Sequence, residues 1–258
     1  MQPWRQRRVV AMSGGGGYPL TSPLQVSGLA AWWAARMESG FANNDPVGTI
    51  TDQSGNSLNL TQATAGKKPL YLTGQKNGKP AFYGDGVDDF VSGGNILNIG
   101  TGSIHLFFVA KYDSVASTTV MQAKSLLAPS IGRYAIHQDT VKWVSLLELS
   151  GSVVVNAAGG TKDTNWHLFE LVVDRTGTGS ITLIVDGAVI QATSLISDAA
   201  DLTNTRRFLL FAYNNGTDTG EALWMNGKIA EVWVWQRVLT ADERTQLRAL
   251  ANSIYAIY

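Results

Sequence analysis

The 258-residue chain contains no cysteine, which excludes disulfide cross-links, thiolate catalysis and cysteine-ligated zinc. Histidine is scarce: His105, His137 and His167 are scattered, with no HExxH spacing, so a zinc hydrolase of that kind is disfavoured. Charge excess is also missing, with 20 Lys and Arg against 20 Asp and Glu. Without a net positive field, nucleic acid and anionic membrane are not expected partners. Long apolar runs are absent too. The N-terminal MQPWRQRRVVAM has the basic start of an export signal, but its apolar run, Val9 to Met12, falls short of the ~7–15 residues such a signal needs. No stretch approaches the ~18 apolar residues of a membrane helix. A soluble protein made in the cytoplasm, without membrane insertion, is the expectation. Gly-X-Ser-X-Gly elbows, P-loops and complete Gly-X-Gly-X-X-Gly loops are absent as well.

What the chain has is glycine, 27 residues of it, and a 45% share of hydrophobic residues. Asn-Gly pairs at 77–78, 215–216 and 226–227 and Asp-Gly pairs at 85–86 and 186–187 supply positive φ cheaply and join short strands. Between them lie β-branched and aromatic runs: IHLFFVAKY (104–112), VKWVSLLEL (141–149), HLFELVVD (167–174), ITLIVD (181–186) and IAEVWVWQ (229–236). Alternation in the last run places Ile229, Glu231, Trp233 and Trp235 on one side and Ala230, Val232 and Val234 on the other. Both sides are largely apolar, as suits a central strand of a two-layer sandwich, and the tryptophan pair is expected between the sheets. One helix is legible. Thr240 to Glu243 reads as a capping box, and Leu247, Leu250, Ile254 and Ile257 then recur at helical spacing. Many strands with one late helix predict an all-β fold.

Residues 1–24 differ from the rest. Arg5, Arg7 and Arg8 cluster near Trp4, and Gly14 to Gly17 run without a break. Four successive glycines hold no regular element cheaply. The segment reads as an extended arm or tether, with Trp4, Arg5, Arg7 and Arg8 as anchors for docking, ahead of one domain over residues 25–258.

Five stretches carry a resemblance: GLAAWWAAR (28–36), DQSGNSLNLTQAT (52–64), KPLYLTGQKNGKPAFYGDGVDDFV (68–91), NWHLFELVVDRTGTGSITLIVDGAVI (165–190) and MNGKIAEVWVWQRVLTADERTQL (225–247). In this order they resemble the concanavalin A-like, laminin-G-like jelly-roll domains of bacterial surface and bacteriophage proteins. The resemblance implies a two-sheet antiparallel jelly-roll sandwich over residues 25–258. It implies no single function, because that fold hosts lectins, glucanases, adhesion modules and capsid or tail components. One departure is that Tyr83-Gly84 stands where the family has phenylalanine ahead of Asp85.

The segment GDGVDDFV (84–91) sets Asp85, Asp88 and Asp89 close together. An EF-hand loop needs oxygen ligands at positions 1, 3 and 5, and here position 3 is Val87. The preferred reading is a turn in which Asp85-Gly86 reverses the chain while Asp88 and Asp89 bond turn amides. A structural calcium held by Asp85, Asp88 and Asp89 is the alternative. Glucanases of this superfamily place their carboxylates on one strand as Glu-X-Asp-X-Glu or Glu-X-Asp-X-X-Glu, and no such run exists here. The nearest pair, Glu170 and Asp174, shares a strand face at about 13 Å, too wide for a retaining pair of about 5 Å. Glu148, Glu221 and Glu231 stand isolated in sequence. Catalytic residues are therefore not assigned. A sugar site combines an aromatic platform with loop polar groups, and AYNNGTDTGEALW (212–224) offers Tyr213, Asn214, Asn215, Asp218 and Trp224 as candidates.

The expectation is a non-enzymatic virion component, a head-decorating or tail-associated protein. It would dock through its arm to other virion proteins and self-associate, a trimer being natural. Its virion part follows from the resemblance. The alternative is a carbohydrate-binding module for cell-surface glycans, and a glycoside hydrolase is third.

Overall fold

The β-branched and aromatic runs become strands, and Asn77-Gly78, Asp85-Gly86 and Asp186-Gly187 become turns, whereas Asn226-Gly227 opens a strand instead and Asn215-Gly216 lies outside the described residues. The computed structural model describes residues 19–116, 118–124, 133–150, 153–194, 201–214 and 220–258. Of the expected arm, Trp4, Arg5, Arg7 and Arg8 lie outside the described residues.

The first third of the chain supplies β1 (Leu29–Ala34), β2 (Asp45–Pro46), β3 (Thr49–Ile50), β4 (Leu60–Thr61), β5 (Leu70–Lys76), β6 (Lys79–Asp85) and β7 (Val91–Gly94). The middle supplies β8 (Ile104–Tyr112), β9 (Thr119–Lys124), β10 (Tyr134–Gln138), β11 (Trp143–Ser150) and β12 (Val153–Gly159). Then follow β13 (His167–Asp174), β14 (Ser180–Val185), β15 (Ala188–Ser194), β16 (Phe208–Leu210), β17 (Tyr213–Asn214), β18 (Glu221–Ala222) and β19 (Asn226–Trp235), before helix α1 (Ala241–Tyr255).

Backbone pairing orders these strands into two large antiparallel sheets. The first runs β15–β14–β13–β8–β19–β6–β5–β2, with β1 also paired to β19. The second runs β12–β11–β10–β9–β16–β7–β4–β3, and the small β17–β18 ladder stands apart. The fold is all-β, a two-sheet antiparallel sandwich with one α-helix near the C-terminus among the described residues. This is the architecture the sequence predicts.

Between the sheets, Trp33, Phe82, Leu106 and Phe108 of the first meet Tyr134, Ile136, Trp143, Leu147 and Phe208 of the second. Burying each such side chain is worth about 1.5–3 kcal/mol before entropy is counted. A second apolar layer lies on the outer face of the first sheet. There Leu247, Leu250, Ala251 and Tyr255 of α1 cover Trp32, Phe107, Val109, Leu168, Trp233 and Trp235. The tryptophan pair thus sits between sheet and helix, not between the two sheets. A bulge accounts for this. Pairing of β19 with β8 passes from Ile229↔Ala110 to Glu231↔Val109, and the extra residue resets the alternation. Ile229, Val232 and Val234 point to the inter-sheet core, while Ala230, Trp233 and Trp235 point to the helix. The single face expected for Ile229 and Glu231 is broken at that point.

Helix α1 starts as its capping box predicts. Thr240 Oγ1 accepts from the Glu243 amide at 3.2 Å, and the Thr240 amide donates to Glu243 Oε2 at 2.9 Å. The helix ends at Ala256, which adopts a left-handed φ of 49°, so Ile257 packs on the sheet from beyond the last turn. Leu20, at the described end of the N-terminal segment, packs against the same layer.

Candidate functional site

The acidic turn joins β6 to β7. Asp85 Oδ1 accepts from the Val87 amide at 2.8 Å and from the Asp88 amide at 3.4 Å, and Asp89 Oδ2 accepts from the Asp85 amide at 3.1 Å. Asp85 and Asp89 hold the turn amides, in place of the expected Asp88 and Asp89. Carboxylate oxygens of all three aspartates lie within 4.8 Å of one another, close enough to share one cation. Burial pushes the Asp89 carboxyl up to about 6, and the charges of Asp85 and Asp88 add to that against the opposing pull of the Asp85 amide.

Beside this turn, the β17–β18 hairpin lies on the outer face of the second sheet. Tyr213 is buried against Val120, Ala123 and Ala135, and its hydroxyl accepts from Arg133 Nη1 at 2.7 Å. Arg133 in turn pairs with buried Glu148 at 2.7 Å. Tyr213, expected as an aromatic platform, therefore has its ring covered and its hydroxyl bonded. Asn214 is fully buried, and its Nδ2 donates to the Arg207 carbonyl at 3.1 Å. Trp224 is half-buried and packs on Phe90, Leu209 and Ala212. Asn215 and Asp218 lie outside the described residues.

Pairing of β7 with β16 draws further groups to this hairpin. Phe90 follows the acidic turn, and Lys67 Nζ and the Arg207 guanidinium carbon lie 5.7 Å and 6.0 Å from its ring centroid. The Glu221 carboxylate bridges the two cations, accepting from Arg207 Nη2 at 2.9 Å and standing 3.6 Å from Lys67 Nζ. The carboxylate side chain is 5% exposed, the Arg207 side chain 21% and the Lys67 side chain 36%. Three polar atoms at this place are buried and have no partner among the described residues: Arg207 Nε, Asn214 Oδ1 and Trp224 Nε1. Buried polar atoms are nearly always bonded, and each one left unmade costs about 1–3 kcal/mol. Lys67, Phe90 and Arg207 were not singled out as binding residues from the sequence, because they come from separate segments with no common motif.

The other groups weighed from the sequence are engaged in the fold. Glu170 lies fully buried under α1, bonded to Arg248 at 2.5 and 2.9 Å, with His105 Nε2 3.4 Å away. Burial works to raise its carboxyl, but His105 and Arg248 hold it below the usual range. Glu231, isolated in sequence, accepts from Trp32 Nε1, Trp233 Nε1, Tyr255 Oη and both arms of Arg36 at 2.6–2.9 Å. His167 bridges Asp186 at 2.6 Å and Asp163 at 2.8 Å. Burial opposes its charge, yet the two carboxylates outweigh that and raise its pKa. Trp143 packs in the inter-sheet core beside it.

No protein-family model and no curated protein matches the sequence. Solved structures do match the fold. The binding domain of Paraclostridial Mosquitocidal Protein 1 superposes with a TM-score of 0.60 at 13% identity, over 83% of this chain and 51% of that one. The ligand-binding domain of botulinum neurotoxin serotype D, in complex with N-acetylneuraminic acid, gives 0.59 at 10% identity, over 88% and 52%. Trypanosoma rangeli sialidase, in complex with 2,3-difluorosialic acid, gives 0.62 at 14% identity, over 96% and 36%. The chain spans about half the length of the two toxin domains. At such identity the likeness is one of fold, a β-sandwich shared with binding domains and with one sialidase. No helix among the described residues is long and apolar enough to cross a membrane.

Proposed function

We propose that the chain is a lectin-like carbohydrate-binding module whose site is the platform formed by Lys67, Phe90, Arg207, Asn214, Glu221 and Trp224. The observation that carries this reading is that three residues of one hairpin neighbourhood each keep a buried polar atom without a partner among the described residues, Arg207 Nε, Asn214 Oδ1 and Trp224 Nε1, beside a half-buried indole. Two of these atoms are donors and one is an acceptor. A sugar supplies both complements, because each hydroxyl donates and accepts, and its apolar ring face stacks on an aromatic side chain. A toxin domain of the same fold in complex with N-acetylneuraminic acid supports the reading.

The module acts by binding and not by catalysis. Glu148, Glu170, Glu221 and Glu231 are all held in ion pairs, which leaves none of them free to work as an acid and base pair. Display on a virus particle through residues 1–24, anchored by Trp4 and the arginines, with self-association, is the part of the proposal that rests on sequence alone.

A glycan array probed with the full chain and with Trp224→Ala and Arg207→Ala tests the reading. The full chain should retain a defined subset of glycans, and each variant should lose at least about tenfold in affinity, the worth of one charge-assisted or buried hydrogen bond. Equal binding by both variants would overturn the site. A silent array would overturn the function.

A further inference from the structure

Glu221 raises a question of chemistry: why does one carboxylate serve two cations at a place that still has unused donors? Its strand, β18, is two residues long and, among the described residues, pairs with Tyr213 and Asn214. Its contact with Arg207 is a hydrogen bond at 2.9 Å, whereas the 3.6 Å to Lys67 Nζ is an ion pair too long for one. Lys67, Arg207 and Glu221 together carry a net charge of +1, since two cations face one anion. Beyond Glu221, the Arg207 Nε and Trp224 Nε1 donors remain unpartnered. Immediately around Glu221, with the acidic turn of Asp85, Asp88 and Asp89 lying beside the platform, cations therefore outnumber anions and N–H groups are left over. A carboxylate, which when ionised only accepts and can take several donors at once, is the group that matches such a surplus. A neutral hydroxyl gains far less from two cations.

We propose that the ligand of this platform is a carboxylate-bearing sugar, a uronate or sialate, and that Glu221 is its internal stand-in, displaced when the ligand binds. The inference rests on the carbohydrate-binding reading above and adds the class of sugar and an autoinhibitory contact. While Glu221 holds Arg207 and Lys67, a ligand carboxylate must compete for them, so the resting protein binds more weakly than the platform allows. Displacement of Glu221, which pairs with Asn214 across the hairpin, uncovers Asn214 Oδ1 to accept from a ring hydroxyl, and the half-buried Trp224 takes the ring face.

Paired probes test this in the full chain. Methyl β-glucuronide and methyl β-glucoside share a ring and differ at one carboxylate, and N-acetylneuraminic acid serves as a second carboxylated probe. Titrations of the unmodified protein and of Glu221→Gln are compared, with melting curves confirming that both are folded. A carboxylated probe should bind about tenfold more tightly than the glucoside. Glu221→Gln should gain about tenfold in affinity for it, as the removal of one competing charge-assisted bond implies, and so widen the preference for the carboxylated probe over the glucoside. Should Glu221→Gln not fold, Glu221→Asp, which draws the carboxylate back by one methylene, should shift affinity the same way to a smaller extent. Loss or no change of carboxylate affinity in the folded variant overturns the inference, as does equal or better binding of the glucoside. Array binding confined to neutral glycans would sink the inference and leave the carbohydrate reading standing. No binding of any glycan by either protein would sink both.

Discussion

Asp89 is 6% exposed and shares its turn with Asp85 and Asp88, so its charge is expensive. With its carboxyl pushed up to about 6 from an ordinary value near ~4, the folded state holds a proton that the unfolded chain has already lost. Stability should therefore fall as pH rises through the window between about 4 and about 6, and remain lowered above it. Asp89→Asn keeps an oxygen for the Asp85 amide and removes the charge. The variant should be more stable than the natural protein at pH 7 by about 1–3 kcal/mol, and the two should melt alike below about pH 4. Denaturant melts across pH 3–8 check this. A calcium ion shared by the three aspartates, the other reading of this turn, predicts the reverse at neutral pH. Calcium would then raise the melting temperature of the natural protein, and Asp89→Asn would forfeit that gain. Single residues also mark where sequence reasoning stops. Tyr213, Asn214 and Trp224 were legible as a polar aromatic loop, but nothing in the chain order says that Tyr213 turns inward to Arg133.

At the scale of elements, β8 and β13 fall on the residues their runs predict, because continuous β-branched and aromatic stretches bounded by turn residues leave little choice. Helix α1 is equally legible, since a capping box and an apolar stripe are local features. The bulge in β19 is not. One inserted residue leaves no mark in composition, yet it decides which side chains face the helix and which the second sheet. Register across strands matters just as much at Gly84 in β6. A Cβ there would stand 2.7 Å from the Phe211 ring and 2.8 Å from the Met225 carbonyl oxygen. Phe211 and Met225 flank the hairpin that carries the platform, and the Met225 amide donates to the Phe211 carbonyl at 2.7 Å. Gly84→Ala should cost about 1–3 kcal/mol, the usual penalty of overfilling a packed interior. Urea melts read it directly, and an unchanged midpoint would show that the hairpin base yields easily.

At the scale of the whole molecule, the sandwich uses its two outer faces differently. The first sheet is covered by α1, which buries Trp233, Trp235 and the carboxylates Glu170 and Glu231 beneath it. The second sheet carries the hairpin platform, where Lys67, Phe90, Arg207 and Glu221 arrive from segments as far apart as 154 residues. Such a site assembles only through long-range strand pairing, which is why its full membership cannot be read from local pattern. The central claim is that sugars bind at this platform. Indole N–H resonances of a labelled full chain, followed while a glycan positive on the array is added, test it most directly. The Trp224 signal should move in proportion to occupancy, while those of Trp143, Trp233 and Trp235 stay in place. A bound glycan that leaves Trp224 unmoved and instead shifts residues of the open cleft lined by Gly28, Asn56 and Gln236, at the other end of β19, would contradict the account.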